Sequence, residues 1–95
     1  IVAVDHAWGI EAASYKANFG ENTATPEARW GGEVRLDKTA QSFGAHGEYV
    51  ENPEDIRPAL ERAQKKVDEG MVALVNVKTD YRARATTVRF SNYMT

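Results

Sequence analysis

The stretch from Val50 to Asp80, VENPEDIRPALERAQKKVDEGMVALVNVKTD, constrains the fold most, because it runs an amphipathic helix, a stop and a strand in direct succession. Ile56, Ala59, Leu60, Ala63 and Val67 recur at i, i+3, i+4, i+7 and i+11 with charged residues between them, so one apolar stripe lies on a solvated helix. That stripe needs a sheet beneath it. Two helix starts are open: Asn52 as cap with Pro53 at the first helical position, or Asp55 as cap with Pro58 inside the first turn. Under the first, Pro58 removes an interior hydrogen bond and bends the opening turn. Gly70 stops the helix, since the left-handed conformation that closes a helix costs a residue with a side chain more.

Val72 to Val77 follows as a short, nearly continuous apolar run rich in β-branched residues, the type buried on both faces of a sheet. A helix feeding such a strand is one unit of an α/β layered domain with parallel strands. The expected fold class is therefore α/β, a partial parallel sheet flanked by helices. With 95 residues the chain has room for one small domain but few of the strands such a sheet normally contains. The opening Ile1-Val2-Ala3-Val4, which lacks an initiator methionine, reads as a strand fragment suited to a sheet centre. The sequence is thus expected to be part of a longer chain.

Asp5 to Ile10 reads as the exit of that strand at its carboxyl edge, where open α/β sheets place their ligands. Glu11 to Gly32 is punctuated by glycine, proline, asparagine and threonine, with Ala12 to Phe19 at most a short helix. A connection that long is functional or mobile, and Tyr15, Phe19 and Trp30 either pack onto the domain or contact something that closes over it. Val34 to Phe43 reads as a short helix with Leu36, Ala40 and Phe43 on one side, ended by Gly44, and Glu48 to Val50 as a short strand. No internal linker stands out.

Several chemistries find no local support. Cysteine is absent, which excludes disulfides and thiolate-held metals and fits the cytoplasm. His6 and His46 lack a second ligand at metal spacing, and no GxSxG, Walker or GxGxxG motif occurs. Glu54 and Asp55 are explained by the helix start, and Lys65 and Lys66 by the helix end. No run reaches membrane-spanning length, and 12 basic against 14 acidic side chains, net −2, speak against a nucleic-acid or membrane-surface partner. From Tyr81 onward, however, Arg82, Arg84 and Arg89 occur without an acid, and guanidinium groups suit phosphates.

The segments IVAV, DHAWGIE, EVRLDKTAQSFGAHGEYVENPEDIRPALERA and MVALVNVKTD, taken together, resemble the C-terminal end of thiamine-diphosphate-dependent enzymes of the acetolactate-synthase-like superfamily. The resemblance covers nearly the whole chain. It implies a diphosphate-binding domain at positions 1–80 followed by a basic extension at 81–95, thiamine diphosphate and Mg²⁺ as cofactors, and a homodimer or homotetramer holding the cofactor between subunits. It places His6, Ala7, Trp8, Gly9 and Ile10 at the cofactor, with the backbone carbonyl of His6 on the metal. The family's Asn ligand is replaced by Val4, which offers no oxygen, so the resemblance also suggests residues missing between Val4 and Asp5. It makes Glu11 to Gly32 a closing loop and supplies no catalytic residue within this chain, because the activating glutamate of the family lies in another domain.

For substrate, the arginine-rich extension leads to an acyl-CoA and hence to a lyase of the 2-hydroxyacyl-CoA lyase or oxalyl-CoA decarboxylase branch. Ile10, Tyr15, Phe19, Arg82, Arg84 and Arg89 are then the substrate and lid residues. The alternatives are an acetohydroxyacid synthase or another 2-oxoacid decarboxylase or carboligase, and, in a different class, a non-catalytic fragment or partner subunit that assembles with the remainder of an enzyme.

Overall fold

The computed structural model describes residues 1–83, which fall into two compact units: 1–5 with 34–79, and 6–33 with 80–83. The first unit holds the sheet. Its strands are β1 (Val2–Val4), β2 (His46–Val50) and β3 (Ala73–Lys78), all parallel, in the order β1-β3-β2. Val2 and Tyr49 both pair with Asn76, and Ala3 and Val50 with Val77.

Helix α3 (Ile56–Asp68) covers one face of β2 and β3. Its Ala59 and Ala63 meet Val50 and Val75, with Ile56, Leu60, Ala73 and Val77 packed around them. The helix entry uses both starts that the sequence allows. Pro53–Asp55 forms a 3-10 turn after an extended Asn52, and the α-helix proper begins at Ile56 with Pro58 in its first turn, where a missing N–H costs little. Asp55 makes no side-chain cap bond; its carboxylate instead accepts from the Asn52 amide at 3.3 Å. At the other end the stripe runs out, Val67 being 50% exposed. Gly70 takes φ of 87°. Gly70→Ala is expected to cost about 1 kcal/mol in a urea melt of the folded protein, the usual penalty for a side chain in the left-handed region.

The opposite face of β2 and β3 carries α2 (Leu36–Ser42), shorter than the Val34 to Phe43 helix expected from sequence. Phe43 lies beyond its end and is 86% exposed, so it does not join the half-buried Leu36 and Ala40. What the helix buries instead is Asp37, 2% exposed. Arg35 holds that carboxylate with two hydrogen bonds of 2.8 and 2.7 Å, and its guanidinium lies 3.9 Å over the Tyr49 ring. The pairing keeps the Asp37 pKa below its ordinary value. From β3, the fully buried Asn76 accepts the Leu36 N–H at 3.3 Å, so a strand residue supplies the cap that the helix's own Arg35 does not. The Asn76 amide nitrogen has no partner among the described residues.

β1 occupies an edge of the described sheet rather than its centre. Ala3 is exposed and Ile1 81% exposed, while Val4 is buried and its carbonyl accepts the Thr79 N–H at 2.9 Å. Val4 is thus a core residue in the last rung of β1.

In the second unit, α1 (Gly9–Phe19) is longer and starts earlier than the short Ala12 to Phe19 helix expected. Its alanines favour helix, Glu11 sits in the first turn and Lys16 in the last, and Gly20 at φ 108° ends it. A 3-10 turn at Pro26–Ala28 follows, and Ala7 pairs with Arg29 in an antiparallel bridge. The Trp8 N–H donates to the Ala28 carbonyl at 2.7 Å and the Trp30 N–H to the His6 carbonyl at 2.9 Å. These bonds give the segment after α1 a fixed course that its glycines and threonines did not announce. Among the described residues no helix is long and apolar enough to cross a membrane.

Candidate functional site

The carboxyl ends of parallel strands are where an α/β sheet leaves backbone and loop residues free to meet a ligand. In the sheet unit that edge carries Asp5, Glu51 and Lys78. Glu51 and Lys78 close on each other at 2.5 Å, and the Tyr49 hydroxyl also donates to Glu51 at 3.1 Å, so the Glu51 carboxyl is held below its ordinary pKa. Asp5 is half-buried directly after β1.

His6 opens the second unit with φ of 56°, the one non-glycine positive φ among the described residues. A left-handed histidine costs on the order of 1 kcal/mol, and such outliers concentrate at functional turns. The turn is held by the bond from Trp30 to the His6 carbonyl and by an edge contact between the two rings, centroids 6.2 Å apart. That carbonyl therefore accepts a hydrogen bond from across the turn.

Mg²⁺ takes oxygen ligands and keeps several waters. The His6 carbonyl is an oxygen of the kind such an ion takes, whereas the Val4 side chain offers none and its carbonyl is committed to Thr79. Among the described residues no group of three histidine or acidic side chains gathers into a complete metal site.

The remaining expected site residues are placed as follows. Ala7 is half-buried in its bridge, Trp8 is 57% exposed, Gly9 begins α1, and Ile10 on its first turn is 70% exposed. Tyr15 and Phe19 are exposed and touch, ring centroids 5.8 Å apart. Ile10 does not join them, because five helical residues carry it about 140° round the axis from Tyr15. Arg82 is already matched: it forks onto Asp80 at 2.9 Å, which with the Arg82 backbone N–H lowers the Asp80 pKa to about 2. Arg84 and Arg89 lie outside the described residues.

One cation was missed. Arg29 lies 3.5 Å over the Tyr81 ring, with Arg82 at 6.0 Å from the same ring, so cations group around Tyr81. Nothing in the local sequence flags Arg29, which is 52 positions from its aromatic partner. Tyr81 also lines a cavity of about 300 Å³ alongside α1, with Lys16, Thr25 and Arg29.

Comparison with known proteins bears on the whole of this region. The family model described as "Thiamine pyrophosphate enzyme, C-terminal TPP binding domain" matches residues 1–77. A "Probable acetolactate synthase" of Mycobacterium bovis (strain ATCC BAA-935 / AF2122/97) is 38% identical over 80 residues, which is 84% of this chain and 14% of that protein. "Acetolactate synthase large subunit IlvG" of Mycobacterium tuberculosis (strain ATCC 25618 / H37Rv) matches with the same identity and coverage. The chain thus spans about 14% of the length of these curated relatives. No solved structure matches it significantly.

Proposed function

The chain belongs to the family of C-terminal TPP-binding domains of thiamine pyrophosphate enzymes, and from that membership we propose that it forms the diphosphate-binding part of a carboligase acting on 2-oxoacids, of the acetohydroxyacid synthase kind. The observation that carries the proposal is the family match over residues 1–77, which includes the strand exit at Asp5 and the left-handed His6. Both curated relatives bear acetolactate synthase names, so this reading goes ahead of the acyl-CoA lyase that the arginine-rich extension suggested.

When bound, thiamine diphosphate supplies a carbanion and an electron sink, which lets a carbon–carbon bond beside a carbonyl break or form. This chain's residues bind and orient. The His6 carbonyl would hold Mg²⁺, and the fixed turn at His6 sets where that carbonyl points. Ile10, exposed at the start of α1, is the apolar residue offered to the reactive part of the cofactor or to substrate. Tyr15 and Phe19 present an aromatic surface to whatever closes there. The groups that move protons belong to the rest of the enzyme, and the chain works as part of a homodimer or homotetramer.

The test uses the full-length protein. Thiamine diphosphate with Mg²⁺ is expected to raise its melting temperature, since a ligand of the folded state stabilises by mass action, and pyruvate is expected to yield acetolactate. A melting temperature indifferent to the cofactor would sink the proposal. Cleavage of a 2-hydroxyacyl-CoA without acetolactate formation would put the lyase reading first; the cations around Tyr81 favour that second reading.

A further inference from the structure

The cavity beside α1 has a lining unlike the apolar core of the sheet unit. One wall is the small-residue side of the helix, Ala12, Ala13 and Ala17, and the rim carries Lys16, Thr25 and Arg29. Lys16 is half-buried and has no ion-pair partner among the described residues. Arg29 lies over Tyr81, and a guanidinium so placed keeps the N–H donors at its edge available for an anion. One acid, Glu21, shares the lining. Neighbouring Asp80 forks onto Arg82 and also feels the charge of Arg29, so its main partner is Arg82 and it offsets the rim cations only in part. The volume, about 300 Å³, exceeds what an inorganic anion fills and reaches the lower bound for small-molecule sites.

We infer that this cavity binds a phosphate monoester, with the phosphoryl group between Lys16 and Arg29, the Thr25 hydroxyl as a further donor, and the uncharged remainder of the molecule on the alanine wall. Phosphate fits better than a carboxylate because two cations and a hydroxyl supply more donors than a carboxylate's two oxygens need, while phosphate presents three oxygens in different directions. The alanines matter for a separate reason. Without long side chains along that side of α1, an uncharged chain or ring can lie flat against the helix.

Such a phosphate has two sources, the ribose 3′-phosphate, which is the one monoester of an acyl-CoA substrate, or a separate phosphorylated metabolite that acts on the enzyme. The inference depends on neither reading of the activity, because binding is measured without turnover.

The experiment uses full-length protein saturated with thiamine diphosphate and Mg²⁺, so that diphosphate sites are filled, and titrates 4′-phosphopantetheine by calorimetry. One saturable site per chain is expected, weakened about tenfold by Lys16→Gln and again by Arg29→Gln, as each removes a charge-assisted contact. Lys16→Arg keeps the charge and should retain binding, which separates loss of a contact from loss of fold. Pantetheine without the phosphate should not bind. Absence of saturable binding, or equal affinity in wild type and both glutamine variants, overturns the inference. The two sources are told apart in the same variants: a raised KM for an acyl-CoA at unchanged kcat identifies the substrate's phosphate, and an altered response of acetolactate formation to added 4′-phosphopantetheine identifies an effector.

Discussion

Gly47→Ala is expected to destabilise the sheet unit by about 3 kcal/mol or more, the upper part of the range for overpacking a closed site. Gly47 sits in β2 on the face that receives α2, and there the backbone of Asp37 comes directly against the strand. A β-carbon at position 47 would stand 2.9 Å from the Asp37 carbonyl carbon and closer still to its oxygen. Neither partner can give way cheaply, since both are backbone. The helix would have to move off the sheet and loosen the hydrogen bond between Asn76 and the Leu36 N–H as it moved. Urea denaturation of the full-length protein, followed by a probe of this domain, measures the effect. A loss under 1 kcal/mol would mean that α2 does not approach β2 as described. Gly44→Ala is a weaker change, because open space surrounds that position and only its φ of 82° resists a side chain.

Asp37→Asn is expected to cost about 2 kcal/mol at pH 7, with a loss that fades in acid. Removing one partner from a wholly buried ion pair costs roughly 3–5 kcal/mol; Arg35 is 35% exposed and recovers part of its hydration, which lowers the figure. The sign of the pH dependence follows from the shift. The Asp37 pKa is lowered in the folded state, chiefly by the hydrogen bonds from Arg35, so its contribution is complete above the unfolded carboxylate pKa and disappears as pH falls through the folded value. Glu48 acts in the same direction. Arg62 first and His46 second hold its carboxylate down, through bonds of 2.9 and 2.8 Å. Wild type is therefore expected to lose stability progressively below about pH 4, and the gap between wild type and Asp37→Asn to narrow over that interval. A gap that stays constant from neutral pH into acid would show that the carboxylate is not what the substitution removes.

Neither site has a signature in the local sequence. Asp37 reads in sequence as one more polar residue of a short helix, and Gly47 as part of a turn. Burial of an acid has no local signature, because it depends on Arg35 folding back and on the face of α2 that meets β2. Phe43 shows the converse. Its spacing from Leu36 and Ala40 suits an apolar side, yet the helix ends at Ser42 and the ring is left outside. Seven helical residues make two turns, too few for a stripe to determine which side faces inward. α1 was underestimated for a related reason: an alanine-rich helix with no buried residue lacks the amphipathic pattern that reveals most helices.

For the candidate site, Asp5 to Ile10 was legible as a strand exit because a β-branched run gives way abruptly to Asp-His-Ala-Trp-Gly. The left-handed turn at His6 and the clasp from Trp30 were not, since they join residues 24 positions apart and depend on backbone hydrogen bonds that carry no residue preference. Arg29, Tyr81 and Lys16 likewise meet only through the course of the chain between them.

The sequence by itself determined the α3–β3 unit, its proline entry and its glycine stop, the parallel α/β class and the family to which the chain belongs. Each of those rests on periodicity, capping chemistry or motif order within a continuous segment. Tertiary structure alone decided the strand order β1-β3-β2, the burial of Asp37 and Asn76, the close approach at Gly47 and the grouping of cations beside α1. These depend on contacts between residues distant in sequence. Such contacts follow from which faces pack together and how closely, and periodicity within one segment cannot specify that.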